Sequence, residues 1–132
     1  MIYQSRSEGI FAIEAGFAWI KHNDIYDNSD GIILFDSSNH ISNNQIHENQ
    51  RCGIICSGSS FPQIENNKIF GNNQTGITIR DNSRVKITEN KLFSNFYQMS
   101  MKSCAEKEKK KILRKNEIEG LNEWHNATCN IF

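Results

Sequence analysis

Gly31-Ile32-Ile33-Leu34-Phe35, a polar turn, and then Ile41-Ser42-Asn43-Asn44-Gln45-Ile46-His47-Glu48-Asn49 form one unit that recurs along the chain. Gly-Ile returns at Gly9-Ile10, Gly31-Ile32, Gly53-Ile54 and Gly76-Ile77, in steps of 22, 22 and 23 residues. After each comes I-x-x-N-x-I-x-x-N: Ile20, Asn23, Ile25, Asn28; Ile41, Asn44, Ile46, Asn49; Ile64, Asn67, Ile69, Asn72; and Ile87, Asn90, Leu92, Asn95. A worn copy stands at Leu113, Asn116 and Ile118. A period of this length is the signature of a solenoid, in which each unit buries its apolar side against the next.

The residue types select the kind of solenoid. Ile outnumbers Leu at the repeated positions, and apolar residues sit two apart in Ile10 and Ala12, Ile32 and Leu34, Ile54 and Cys56, Ile77 and Ile79, and Met99 and Met101. Spacing of two is that of a strand with one buried face. Each coil also needs sharp corners, and Asn both tolerates the left-handed backbone region and hydrogen-bonds nearby backbone. Asn at the same place in every coil predicts a stacked amide ladder inside the column. The fold expected is all-β, a right-handed parallel β-helix of about five coils of 22 to 23 residues.

The pattern G-I-x-I followed by I-x-x-N-x-I-[FY]-x-N resembles the parallel β-helix repeat of the pectate-lyase-like superfamily. Copies with an aromatic after the second apolar residue, Ile25-Tyr26, Ile69-Phe70 and Leu92-Phe93, resemble the β-helices of F-box-only ubiquitin-ligase substrate receptors and of Shc-binding spindle proteins. Bacterial periplasmic β-helix proteins are similar as well. The resemblance covers residues 9 to 95 well and 96 to 121 poorly. It implies a β-helix, and through its intracellular members ligase substrate selection or a cytoskeletal scaffold.

Composition narrows the function classes. Lys plus Arg and Asp plus Glu are both 15 in 132 residues, so net charge is zero and a general nucleic-acid binder, which would neutralise phosphates, is not expected. No apolar run is long enough to span a membrane, and the first residues lack a secretory pattern. The expected location is cytoplasmic or nuclear, with secreted or periplasmic as the alternative. Cys52, Cys56, Cys104 and Cys129 form no C-x-x-C, and Cys56 falls in the column of Ala12, Leu34, Ile79 and Met101, as a small buried hydrophobe would. Neither a metal nor a cofactor is expected.

Taken in order, Ile2-Tyr3 precedes Gly9 by the seven residues that separate Ile46 from Gly53, so residues 1–8 read as a partial coil. Residues 9–121 read as β-helix repeats and 122–132 as a C-terminal closing segment. The N-terminal end is expected to be covered by further coils, a partner or another copy, because open strand edges invite pairing. Ala105-Glu106-Lys107-Glu108-Lys109-Lys110-Lys111 reads as a solvated loop, and the repeat is read as lost from Gly120 onward.

Function is sought on the outside of the coil. If Ile10 and Ala12 point inward, then Phe11, Ile13, Ile33, Phe35 and Ile55 point outward as one apolar strip, bordered by Arg80 and Lys102. These seven are the candidate partner-binding residues. Tyr3, Tyr26, His47, Phe70 and Phe93 form a second column, read as corner packing because it belongs to the repeat itself. An enzymatic alternative rests on Glu14, Asp36, Arg80 and Asp81, since carboxylates on adjacent coils would stand about 5 Å apart, as in retaining glycosidases. Against it, the chain has no Asp-Asp pair, and acidic residues at strand ends are common turn formers. The reading is a non-enzymatic protein-recognition or scaffold module of a larger intracellular protein; the alternative is a carbohydrate-acting or sugar-binding β-helix.

Overall fold

The computed structural model describes residues 1–14, 17–81, 83–101 and 106–124. The first strands are β1 (Ile2–Tyr3), β2 (Glu8–Ile13), β3 (Trp19–Lys21) and β4 (Asp24–Tyr26). The next coil supplies β5 (Asp30–Phe35), β6 (His40–Ser42) and β7 (Gln45–His47). Then come β8 (Ile54–Ser57), β9 (Gln63–Glu65) and β10 (Lys68–Phe70), followed by β11 (Thr75–Ile79), β12 (Lys86–Thr88) and β13 (Lys91–Phe93). The last full coil holds β14 (Tyr97–Met101), helix α1 (Glu106–Lys115) and β15 (Glu117–Glu119), and β16 (Glu123–Trp124) begins the next.

Every strand pairs in parallel with its counterpart one coil away, which makes three sheets. The wide sheet runs β2-β5-β8-β11-β14-β16, the second β1-β4-β7-β10-β13-β15, and the third β3-β6-β9-β12. Ile32 pairs with Ile10 and Ile54, Ile41 with Ile20 and Ile64, and Ile46 with Ile25 and Ile69. The alternation read from the sequence is therefore the real one: Ile32, Leu34, Ile41, Ile46, Ile54, Ile64, Ile69 and Ile77 are all fully buried in a single column. Stacking also accounts for the glycine of each Gly-Ile. A Cβ on Gly31 would lie 2.5 Å from the carbonyl oxygen of Gly53, and one on Gly53 would lie 2.7 Å from that of Gly76.

Two amide ladders hold the corners. In the first, Asn67 donates its backbone N–H (2.9 Å) and its side-chain amide (3.0 Å) to Oδ1 of Asn90, and donates again to the carbonyl of Ile41 at 2.9 Å. Its own Oδ1 accepts both donors of Asn44 at 3.0 Å. The ladder runs from Asn23 to Asn116; a second runs Asn28, Asn49, Asn72, Asn95 and ends on Oε1 of Gln98. Buried polar groups are thus paired rung by rung, as a buried polar column must be. One detail corrects the sequence reading. The left-handed residue is the one before the ladder Asn, as in His22, Asn43, Asn66 and Glu89 in one corner and Asp27, Glu48, Gly71 and Ser94 in the other. The ladder asparagines serve as hydrogen-bonding rungs, and the bend is made next to them.

The C-terminal coil departs from expectation twice. Residues 106–111, read as solvated loop, begin α1, with Glu106 and Glu108 in its first turn, Arg114 and Lys115 in its last, and Lys109 Nζ 3.1 Å from Glu106 Oε1. That charge order favours a helix, since it opposes the helix dipole and pairs residues three apart. The helix stands where a strand beside β12 would otherwise stand, so Ile112 is the buried side chain there and Leu113 is exposed. Asn116 keeps its place in the ladder, donating to the carbonyls of Ile87 and Ile112 at 2.9 Å. Nor is the repeat lost after Gly120: Glu123 and Trp124 pair with Ser100 and Met101, and Trp124 packs on the core. Leu121, by contrast, is exposed. Gly16, Cys104, His125, Cys129, Ile131 and Phe132 lie outside the described residues.

Candidate interaction face

The outer side of the wide sheet carries two columns in strict register. One runs Phe11, Ile33, Ile55, Thr78, Ser100; the other runs Ile13, Phe35, Ser57, which continues to Arg80 just beyond β11. Phe11 is 53 % exposed, Ile13 56 % and Phe35 40 %, while Ile33 is half-buried between its neighbours. Four of the seven strip residues therefore meet on β2 and β5. Arg80 is exposed further along, and Lys102 lies outside the described residues.

Ile55 is a correction. It sits in the outer column but is only 3 % exposed. Alternation fixes the side of a sheet a residue points to, whereas cover depends on what the adjoining corner brings over it. Here the corner before each wide strand brings Cys52 and Gln74 onto this face: Thr78 Oγ1 lies 3.6 Å from Cys52 Sγ, which lies 4.0 Å from Gln74 Oε1. Thr78, next to Ile55 in the column, is buried as well. The apolar strip consequently ends at β5, and a different surface begins.

That second surface is a cleft of about 550 Å³ with Thr78 and Ser100 among its lining residues, Phe96 and Tyr97 from one corner, and Arg80 and Asp81 from the other. Ser100 donates to Glu123 at 2.8 Å, and the rings of Phe96 and Tyr97 meet edge to face at 4.8 Å. Sequence reasoning passed over Phe96-Tyr97. The signal was a departure from pattern, since the corners one and two coils earlier carry Gln74-Thr75 and Arg51-Cys52.

Two of the three carboxylates at the rim, those of Asp36 and Asp81, accept backbone N–H groups. Glu14, Asp36, Gly58 and Asp81 all have left-handed φ, of 46°, 50°, 69° and 57°, so the column is the turn that ends each wide strand. Ser59 N–H donates to Asp36 Oδ1 at 2.8 Å and Gly58 N–H to Asp81 Oδ2 at 2.9 Å. A Cβ on Gly58 would lie 2.2 Å from Asp36 Oδ1, which explains the glycine in this coil. Each bond spans one coil, so these carboxylates tie adjacent turns of the solenoid together. Among the described residues no group of three or more His, Cys, Asp or Glu side chains could hold a metal ion.

The second sheet offers the contrasting surface. Tyr3, Tyr26, His47, Phe70 and Phe93 stack face to face, with neighbouring ring centroids 4.6 to 5.3 Å apart. His47 Nε2 is 2.7 Å from Asp24 Oδ1, and Lys68 and Lys91 lie over the Phe93 ring at 5.8 and 5.5 Å. Each inner ring has both faces taken. On the third sheet, His40 packs on Trp19, its register partner one coil away, at 4.2 Å and pairs with Glu65.

Of the thiols, Cys56 is fully buried beneath the wide sheet and burial pushes it up to about 12, so it stays neutral and unreactive at physiological pH. No helix among the described residues is long and apolar enough to cross a membrane.

Searches of curated proteins and of solved structures found no match. Residues 1–130 match the family model described as the right handed beta helix region, in agreement with three parallel sheets wound coil upon coil. With nearly its whole length matched, the chain belongs to the right-handed β-helix family.

Proposed function

We propose that this protein is a non-enzymatic recognition or scaffold module that docks a protein partner on the outer face of the wide sheet. The observation that carries the reading is the exposure of Phe11, Ile13 and Phe35 side by side on β2 and β5, in a solenoid whose other repeated apolar columns are covered. An apolar centre with a polar border is how interfaces are arranged, and aromatic residues are favoured anchors there. Occupation of Asp36 and Asp81 by backbone N–H groups supports a turn role for those carboxylates over a catalytic one. The intracellular setting, and a place in ubiquitin-ligase substrate selection or in a cytoskeletal scaffold, belong to this proposal through resemblance.

The cleft beside Phe96, Tyr97 and Arg80 supports a second reading, in which a sugar ring lies against the aromatic pair. Photo-crosslinking separates the two. A photoreactive residue at position 35 should capture a discrete protein partner that the same residue at Thr88, on the third sheet, does not. Equal capture from both positions would overturn the recognition reading. Retention on immobilised polysaccharide, lost on Tyr97→Ala but not on Phe35→Glu, would favour the sugar reading.

A further inference from the structure

The chain has zero net charge, but that charge is unevenly distributed along the solenoid axis. Residues 1–52 hold only Arg6, Lys21 and Arg51 against seven carboxylates, and residues 53–132 hold the remaining twelve cations against eight carboxylates. Residues 1–52 are therefore net −4 and residues 53–132 net +4. Global repulsion between copies is absent while the two ends attract.

The halves also carry fitting surfaces. Glu14 and Asp36 are exposed at the strand ends beside Ile13 and Phe35, and neither is in an ion pair among the described residues. At the other end, Lys110, Leu113 and Arg114 lie on one exposed face of α1, three and four residues apart, with Leu113 46 % exposed. Lys110 and Arg114 have no ion-pair partner among the described residues, whereas Lys109 and Lys91 are paired with Glu106 and Glu117. The N-terminal part thus carries an apolar strip with an acidic rim, and the C-terminal part carries a helix face with an apolar residue set among basic ones.

We infer that the strip on β2 and β5 receives α1 of a second copy, so that the protein associates head to tail through Phe35 and its neighbours on one copy and Lys110, Leu113 and Arg114 on the next. This rests on the recognition reading above and names the occupant of that face. The two contact surfaces differ, so the contact is heterologous and can repeat from copy to copy. Opposite charges at the rim make it sensitive to salt.

Sedimentation velocity over a concentration series, at low and high ionic strength, tests the inference with the full chain. The wild-type protein should grow beyond a dimer as concentration rises, and high salt should weaken the association about tenfold or more. Phe35→Glu alone and the double variant Lys110→Glu with Arg114→Glu should each be monomeric. Each keeps one working surface, so an equimolar mixture of the two should form dimers and nothing larger. Phe11→Glu serves as a second strip variant, with urea midpoints verifying that all remain folded. A wild type that stays monomeric, or a mixture that gives no dimer, overturns the inference. If position 35 still crosslinks a discrete foreign protein in that case, the recognition reading survives without it. If it crosslinks nothing distinct from position 88, both fall.

Discussion

Two columns of large apolar side chains stand on the outside of this solenoid, and they differ in who covers them. On the second sheet, Tyr26, His47, Phe70 and Phe93 are half-buried, each ring resting on the next at about the distance between coils. On the wide sheet, Phe11, Ile13 and Phe35 are exposed, and the column beyond them changes to Ser57 and Arg80. The first column recurs in five successive coils, from Tyr3 to Phe93, so each copy supplies the cover for its neighbour. The second is exposed in two coils, and the described residues leave it uncovered. Residues that recur build the coil, and large apolar residues that recur only locally are where a partner is to be sought.

The largest loss of stability is expected from within the ladder. Asn67→Ala removes the acceptor of both Asn44 donors and the donor to Ile41, and each orphaned buried group costs about 1–3 kcal/mol, so a total near 3 kcal/mol is expected in urea titration. Asn73→Ala, at an exposed site, should change stability by less than about 0.5 kcal/mol. Equal effects would mean that the ladder does not support the fold. A smaller loss is expected in the self-covered column. Phe70→Ala removes a half-buried ring that stacks on two others and should cost about 2 kcal/mol, and a loss no larger than that of Asn73→Ala would show the stack to be incidental.

The pH dependence of Cys56 sharpens the account of the interior. Its folded pKa is raised from 9.0 to about 12 by burial, so below pH 9 the thiol is neutral in both folded and unfolded chains and stability does not depend on it. As pH rises from 9 towards 12 the unfolded chain releases this proton and the folded one does not, so stability falls. Iodoacetamide at pH 8 should leave Cys56 unmodified until urea unfolds the chain, as read by peptide mass spectrometry. Rapid labelling in the native state would place it at the surface. The smallest effect is reserved for the rim. Glu14→Gln with Asp36→Asn keeps hydrogen-bond acceptors in the turns and should leave foreign-partner capture from position 35 unchanged. A polysaccharide-cleaving activity that disappears in this double variant would replace recognition by catalysis.

Much of this architecture was legible because stacking imposes one stereochemical demand on every coil. Gly-Ile recurs where a Cβ would strike the carbonyl of the next coil, and I-x-x-N-x-I-x-x-N recurs where two corners need ladder rungs. Other features were not legible, for identifiable reasons. Helix α1 lies in an insertion that breaks the period, and its charges read equally as solvated loop until Ile112 is seen buried on the column. Ile55 was assigned the correct side of the sheet, but it is buried there, beside Thr78, where the corner residue Cys52 comes onto the face. The cleft beside Phe96 and Tyr97 draws on residues from four successive coils, a convergence that periodicity within one coil cannot display.

We propose that the exposed strip serves binding and the stacked column serves folding. The most direct test is the urea midpoint of Phe35→Glu set beside that of Phe70→Glu. Phe35→Glu should unfold within about 0.5 kcal/mol of wild type, since its side chain leaves the coil. Phe70→Glu should lose about 2 kcal/mol or more, since it breaks two ring stacks and sets a charge among them. Comparable losses in the two variants would contradict the claim, because they would make the strip on β2 and β5 part of what holds the solenoid together.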